Sequence, residues 1–420
     1  MSAQGRSQAL IPEPVKGEGI PVSGRAGGVA AGAAGVHLHT LANGVRLLAM
    51  PMAGRYTAAL SVYVRAGSVH DARGLGGIAH VVEHMLFKGT RRRDALGINR
   101  EAERLGGEIN AHTDKDHLAL YLRARPQDTA PQLQLLAELV AEPTFPADEL
   151  ERERGVLLNE HAEVDDDAMA AAWTLADRAA WGLHPMVAPV IGTRRVIESL
   201  RQADLAAHAR RLFTGSNVVV AAAGAVDVDA FLRDAEAGFG ALPAGLPSVV
   251  APPNWAGGIR SRLLSAGGQA HAVLALAGPS RADADPQAEL AAAVLGEGMS
   301  SPLLRCLREE RGLVYHADCA VDRFEPAGQL AIEWSCGAAD LDACLAEVAQ
   351  LLRGQADRVH ADDLDRARHQ IGLRLLRQRE RAGRRIEAAA LALRAGGALP
   401  DEAAAAAALA QATTTSVRDH

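Results

Sequence analysis

Aromatic residues are scarce, at 3% of the 420 positions, so there is little material for stacking nucleobases. A basic excess is also missing: 44 Lys and Arg against 51 Asp and Glu leave a formal net charge of −7. Nucleic-acid binders carry a clustered basic surplus, so that class of partner is set aside. No run of about 18 uncharged apolar residues occurs, so a membrane-spanning helix is not expected. The four cysteines, Cys306, Cys319, Cys336 and Cys344, all lie in the C-terminal half and form no C-x-x-C pair. That spacing argues against a disulfide scaffold and for reduced thiols in the cytoplasm. Residues 1–35 lack the continuous apolar segment of a secretory signal, and their Gly, Ala and Pro content reads as a disordered arm.

What is present is an ordinary globular composition, 48% hydrophobic and 23% charged. The chain is too long for one compact core and suits two domains of about 200 residues. VHLHTLANGVRLLAMPM reads as two strands around Asn43-Gly44. Strands are expected again at 57–67, on both sides of the polar turn in 107–124, and at 218–226. Long helices are expected at about 128–141 and 147–180. The segment 241–258, ALPAGLPSVVAPPNWAGG, concentrates Pro and Gly without periodicity and reads as a linker. Beyond it the alternation resumes, with a strand at 270–278 and helices through 286–311, 340–353 and 361–396. The stretch Ala147 to Arg152 (ADELER) recurs as Ala361 to Arg366 (ADDLDR), half a chain later. Such an offset suggests a duplicated domain. In that register Glu153 and Glu160 match Ala367 and Arg374, so the two copies cannot share one chemistry. The second copy also ends before an equivalent of the 218–226 strand.

The strongest chemical signal is GLGGIAHVVEHMLFKGT, residues 74–90. On a helix, His80 and His84 project about 40° apart, with Glu83 about 60° to the other side of His80. Ile78, Val81, Val82 and Met85 fall on the opposite face and can anchor the helix in a core. Two imidazoles one turn apart can hold one zinc, with the carboxylate beside them to take a proton from the attacking water. The order is H-x-x-E-H. A catalytic zinc needs a third protein ligand, and Glu160 is the candidate. Glu153 and Glu160, seven apart, share one helix face, although such carboxylates are most often only a solvated side.

With these motifs the sequence resembles the pitrilysin/insulinase family of zinc peptidases, especially the half-size branch that includes the mitochondrial processing peptidase. The resemblance covers about residue 36 to the C-terminus, and the interval from His84 to Glu160 fits it. It implies His80, His84 and Glu160 as zinc ligands, Glu83 as general base, and Glu153 as a carboxylate orienting the site. LGGEINAHTDKDHLALY (105–121) is similar to the family's edge strand, which binds substrate as an added β-strand, placing Asn110 and Ala111 against the peptide. Leu118 and Leu120 depart from the usual polar or aromatic residues there. GEGMSSPLLRCLREERGLVY (296–315) resembles the C-terminal motif, with Pro302 as a departure. It implies that Arg308 and Tyr315 reach across to the site and stabilise the developing oxyanion.

The resemblance implies an α+β fold of two homologous domains, each a mainly antiparallel sheet packed with helices. The division expected is 36–240 for the zinc-binding domain, 241–258 for the linker and 259–420 for the second domain. The activity implied is a zinc metallo-endopeptidase acting on peptides or unfolded segments, paired as a homodimer or with a related subunit. The rival readings are the catalytic subunit of a heterodimeric precursor-peptide protease, as in pyrroloquinoline quinone biosynthesis, and a non-catalytic scaffold.

Overall fold

The computed structural model describes residues 30–32, 35–264, 268–283 and 286–420. The arm expected over 1–35 lies outside them, apart from Gly35 and 30–32, and the latter form a short strand. In chain order the first half runs β1 (Ala30–Gly32), β2 (Val36–Thr40), β3 (Arg46–Pro51), β4 (Ala58–Val64), α1 (Ile78–Leu86) and α2 (Ala95–Arg104). It continues with β5 (Ile109–Thr113), β6 (Leu118–Ala124), α3 (Thr129–Ala141), α4 (Ala147–Asp166) and α5 (Ala168–Trp181). It closes with α6 (Arg194–Ser199), α7 (Gln202–Leu212), β7 (Val218–Gly224) and α8 (Val228–Phe239). Next in order come β8 (Gln269–Gly278), α9 (Gln287–Gly296), α10 (Pro302–Leu304, extended by a π-helical turn Arg305–Glu310), β9 (Val314–Arg323) and β10 (Gly328–Gly337). The chain then finishes through α11 (Leu341–Asp357), α12 (Ala361–Glu380), α13 (Ala382–Gly396), α14 (Glu402–Gln411) and α15 (Thr414–Arg418).

The first sheet has the order β1-β2-β3-β7-β4-β6-β5 among the described residues. It is antiparallel except where β3 pairs with β7. Both β4 and β7 are buried along their whole length, as strands covered on two faces must be. Alternation decides which side chain meets which layer. Leu47, Leu60, Val62 and Val220 pack with α1, α3, α7 and α8. Leu48, Tyr63, Val219 and Ala221 pack instead with Ile386, Ala389 and Ala390 of α13, a helix from the other half of the chain. The exchange is reciprocal. In the second sheet, of order β8-β10-β9, β8 lies against α5 of the first half, and Trp173 Nε1 donates to Glu333 Oε2 at 2.6 Å.

The internal repeat is visible in the helices. The α4–α5 pair breaks at Asp167 and the α12–α13 pair at Arg381, the same 214-residue offset as between Ala147 and Ala361. The single helix expected over 147–180 is therefore two. Asp167 adopts an extended backbone, and its carboxylate accepts from Met169 N at 2.8 Å and Ala170 N at 3.1 Å, capping α5 as Asp commonly does. The strand order β4-β6-β5 is repeated as β8-β10-β9. In the first half β7 then pairs with the remaining edge of β4; among the described residues nothing pairs with that edge of β8.

Two local features hold the site-bearing helix α1. Gly77 has φ 100°, and a Cβ there would lie 2.5 Å from Gly192 Cα. Beyond it, the buried His70 sits with Nε2 3.0 Å from Ser248 O, so the approach to α1 is tied to the segment after α8. Burial first, then Arg394, pushes His70 down to about 4. Burial and then Arg211 push the nearby His208 down to about 3, and neither of its ring nitrogens has a hydrogen-bond partner among the described residues.

Gly77→Ala should cost about 1–3 kcal/mol through steric overlap and a forced left-handed backbone. Gly76→Ala, whose Cβ would meet open space, should stay within roughly 0.5 kcal/mol; denaturant titration of both separates local strain from helix propensity. A pH dependence follows from the two histidines. Their folded pKa values lie below the unfolded value of 6.5, so their stabilisation is complete above pH 6.5 and is lost as pH falls towards 4. The slope should be on the order of 1 kcal/mol per pH unit for each group, and thermal unfolding of His208→Leu across that window should show a shallower dependence than the parent.

Candidate metal and catalytic site

The candidate site forms where α1 crosses α4 beside the free end of β5. Asp71 accepts from Gly77 N at 2.6 Å and Ala79 N at 3.2 Å, satisfying amides that the start of a helix leaves open. The apolar face of α1, Ile78, Val81, Val82, Met85 and Leu86, is buried in the main core. His80 and His84 are thereby turned towards α4. That helix presents Leu150, Glu153, Leu157 and Glu160 at heptad-like spacing, so two leucines seal the contact and two carboxylates meet the imidazoles.

His80 Nε2 lies 3.6 Å from Glu160 Oε1 and His84 Nε2 lies 3.5 Å from Glu160 Oε2. The imidazole rings of the two histidines stand 4.7 Å apart edge to face, and one donor atom from each of the three residues falls within 4.8 Å of the others. His84 Nδ1 is engaged by Glu153 Oε1 at 2.9 Å, fixing the ring so that Nε2 points at the common centre. The other Glu153 oxygen meets Lys88 Nζ at 2.5 Å. Burial alone would raise the Glu153 carboxyl, but the hydrogen bonds from Lys88 and His84 overcome it and hold the group below its usual range. Burial, then His84, pushes His80 down to about 4, so its imidazole is neutral at pH 7 and offers a lone pair. Two imidazoles and one carboxylate, partly open to solvent, are a donor set that fits a tetrahedral divalent cation with a position to spare.

Glu83 leaves α1 towards β5, where Thr113 Oγ1 donates to Glu83 Oε2 at 2.6 Å. Burial is the main cause that raises its pKa, with the Glu160 charge adding to it and the Thr113 bond opposing. A carboxylate made more basic in this way is suited to take a proton near neutrality.

Of the other residues singled out by sequence, Asn110 and Ala111 lie on β5, the last strand of the sheet. The exposed Asn110 side chain accepts from Ala111 N at 2.8 Å, so that amide points away from β6 towards the unpaired edge. Arg308 and Tyr315 do not join the histidine–carboxylate cluster. Arg308 stacks over the Tyr315 ring at 5.0 Å, Tyr315 is 84% exposed, and among the described residues no hydrogen bond, ion pair or ring contact joins either to His80, His84 or Glu160. Sequence reasoning passed over Thr113 and Lys88. Strand alternation from Ala111 would have put Thr113 on the α1 side, and Lys88 follows His84 by one helical turn.

Asp114, Asp116 and His117 also bring three possible donors together. There Asp116 Oδ1 is taken by His117 Nδ1 at 2.6 Å, and Oδ2 accepts from Glu325 N at 2.7 Å and faces Arg281 at 3.6 Å. Its charge is satisfied within the protein without a cation.

Comparison with known proteins identifies the family. Residues 49–194 match the model of the insulinase family, peptidase family M16, and residues 199–371 match the peptidase M16 inactive domain. An uncharacterized zinc protease of Mycobacterium bovis is 33% identical over 303 residues, 71% of this chain and 69% of that protein. The mitochondrial-processing peptidase subunit beta of Blastocladiella emersonii is 31% identical over 247 residues, 58% of this chain and 53% of that one. A crystal structure of a peptidase M16 inactive domain from Pseudomonas fluorescens superposes with a TM-score of 0.82 at 23% identity, covering 91% of this chain and 94% of its own. At that identity the likeness speaks for the fold. The chain belongs to the insulinase family of peptidases, in its half-size branch.

Proposed function

We propose that the chain is a zinc-dependent endopeptidase acting on peptides or unfolded segments, and the convergence of His80, His84 and Glu160 beside Glu83 carries the reading. His80, His84 and Glu160 would hold the ion, with Glu153 orienting His84. Zinc bound there would polarise the scissile carbonyl and acidify a water molecule. Glu83, raised by burial and aimed by Thr113, would take a proton from the attacking water and pass it to the leaving amine. The substrate backbone extends along the open edge of β5 beside Asn110 and Ala111, adding a strand to the sheet.

The division proposed is a catalytic domain at 36–240, a linker at 241–258 and a second domain at 259–420 that carries Arg308 and Tyr315. That pair would approach the carbonyl only when the second domain closes over the substrate, since Tyr315 stands largely in solvent. The same exposure favours a second reading, in which the chain is the catalytic subunit of an assembly with a copy of itself or a related chain.

Glu83→Gln should keep about one zinc per chain by mass spectrometry while cleavage of a quenched peptide falls by about 10²- to 10⁴-fold; full activity in that variant would remove Glu83 from the role of base. Chelation should abolish cleavage, and added zinc should restore it. Glu153→Ala should weaken zinc affinity by about 10- to 100-fold in a competition titration. Unchanged affinity would show that Glu153 acts only through the contact between α1 and α4.

A further inference from the structure

Beyond the hydrolytic centre, the described structure contains a cleft of about 720 Å³ on the other face of the β5 edge. Thr113 and Ala111 face α1 and the metal-binding residues. His112, between them in the pleat, faces the opposite way and lines this cleft, its ring 5.7 Å from Tyr121 and 5.3 Å from His117. The far wall is the bend between α12 and α13, and it is rich in arginine. Arg374, Arg377, Arg381 and Arg384 line it, with Arg281 beside them. The acidic groups of the lining are Asp114, Glu297 and Glu387, so the cleft is net positive in a chain whose total charge is −7.

The pairing inside the cleft leaves charge to spare. Arg374 meets Glu297 at 2.9 Å and Arg384 meets Glu387 at 2.8 Å. Arg281 faces Asp116, and Asp114 Oδ1 accepts from Lys115 N at 2.7 Å. Arg377 and Arg381, both exposed, have no side-chain partner among the described residues. Two free guanidiniums on one concave wall focus a positive potential and present the fork that carboxylates match.

From this juxtaposition we infer that the arginine cleft selects substrates carrying acidic side chains at alternate positions of the bound strand. The inference rests on the edge-strand binding proposed above. A peptide added to β5 places every second side chain on the α1 side and the others on the His112 side. The residue facing the reacting carbonyl is therefore free to vary, while its neighbours meet Arg377 and Arg381. The open β5 edge favours a peptide occupant over a nucleic acid, because a peptide backbone can pair with it as an added strand.

The test uses the full chain with Glu83→Gln, which binds without turnover, and fluorescent peptides sharing a neutral core with Glu or Lys at alternate flanking positions. Anisotropy should show the Glu peptide bound roughly three- to tenfold more tightly than the Lys peptide, as two exposed ion pairs would give, with the advantage shrinking as salt rises. Arg377→Glu with Arg381→Glu should reverse the preference, and the Lys replacements at both positions should retain it, with unfolding curves showing that each variant is folded. Equal affinity for both peptides, a preference for the Lys peptide, or tighter binding of a thymidine oligonucleotide than of the Glu peptide would overturn the inference. The two readings fail separately. Charge-selective binding without any cleavage by the zinc-loaded parent chain would sink the peptidase reading and keep the cleft. Cleavage indifferent to flanking charge would do the reverse.

Discussion

Burying Arg394 constrains much of the architecture. The residue is only 4% exposed, and a guanidinium so far from water calls for acceptors on several elements at once. It donates to Asp116 O at 2.8 Å and meets Glu325 Oε2 at 3.2 Å, while Arg65 meets Glu325 Oε1 at 2.8 Å and donates to Arg394 O at 2.7 Å. One charge cluster thus clamps the end of β4, the β5–β6 turn, the β9–β10 turn and α13. Removing Glu325 would leave two buried guanidiniums without the carboxylate they share, so the cluster acts as a unit. The β5–β6 turn begins directly after Thr113, and so the position of the edge strand beside Glu83 depends on Arg394, 278 positions from Asp116.

The same economy governs the candidate metal-binding cluster. Burial disfavours charge: it keeps His80 neutral and makes Glu83 more basic. The Glu153 carboxyl is instead held below its usual range, because Lys88 and His84 both bond to it. The result is a graded set in which lone pairs face the common centre, the strongest carboxylate base stands to one side, and a fixed anion stands behind His84.

The relation between the halves is more than duplication. Each lends the second helix of its repeated pair to the other's sheet, α5 onto β8 and α13 onto the face of Leu48, Tyr63 and Ala221. Small residues on both sides, Ala221 and Ala223 against Ala389 and Ala390, allow the close approach of helix and sheet. This exchange builds the arginine wall, because the bend that carries Arg377 and Arg381 exists only where α12 of one unit turns into α13 docked on the other.

Much of this was legible from residue order. Local periodicity located β2 to β7, the β5–β6 hairpin and α1, because alternation and the 3.6-residue repeat are properties of neighbouring residues. His80, Glu83 and His84 were legible for the same reason, being within one and a half turns of one helix. The break at Asp167 was hidden because its neighbours on either side keep helical periodicity, and only the capping geometry distinguishes two helices from one. Glu160 was ambiguous by spacing, since a carboxylate stripe looks the same whether it faces water or a neighbouring helix. Packing decided that, through Leu150 and Leu157 sealing α4 onto α1. Thr113, Lys88 and the Arg377–Arg381 wall were likewise settled only in three dimensions. Their roles are contacts between segments far apart in the chain, and no local pattern encodes which distant side chain a residue will meet.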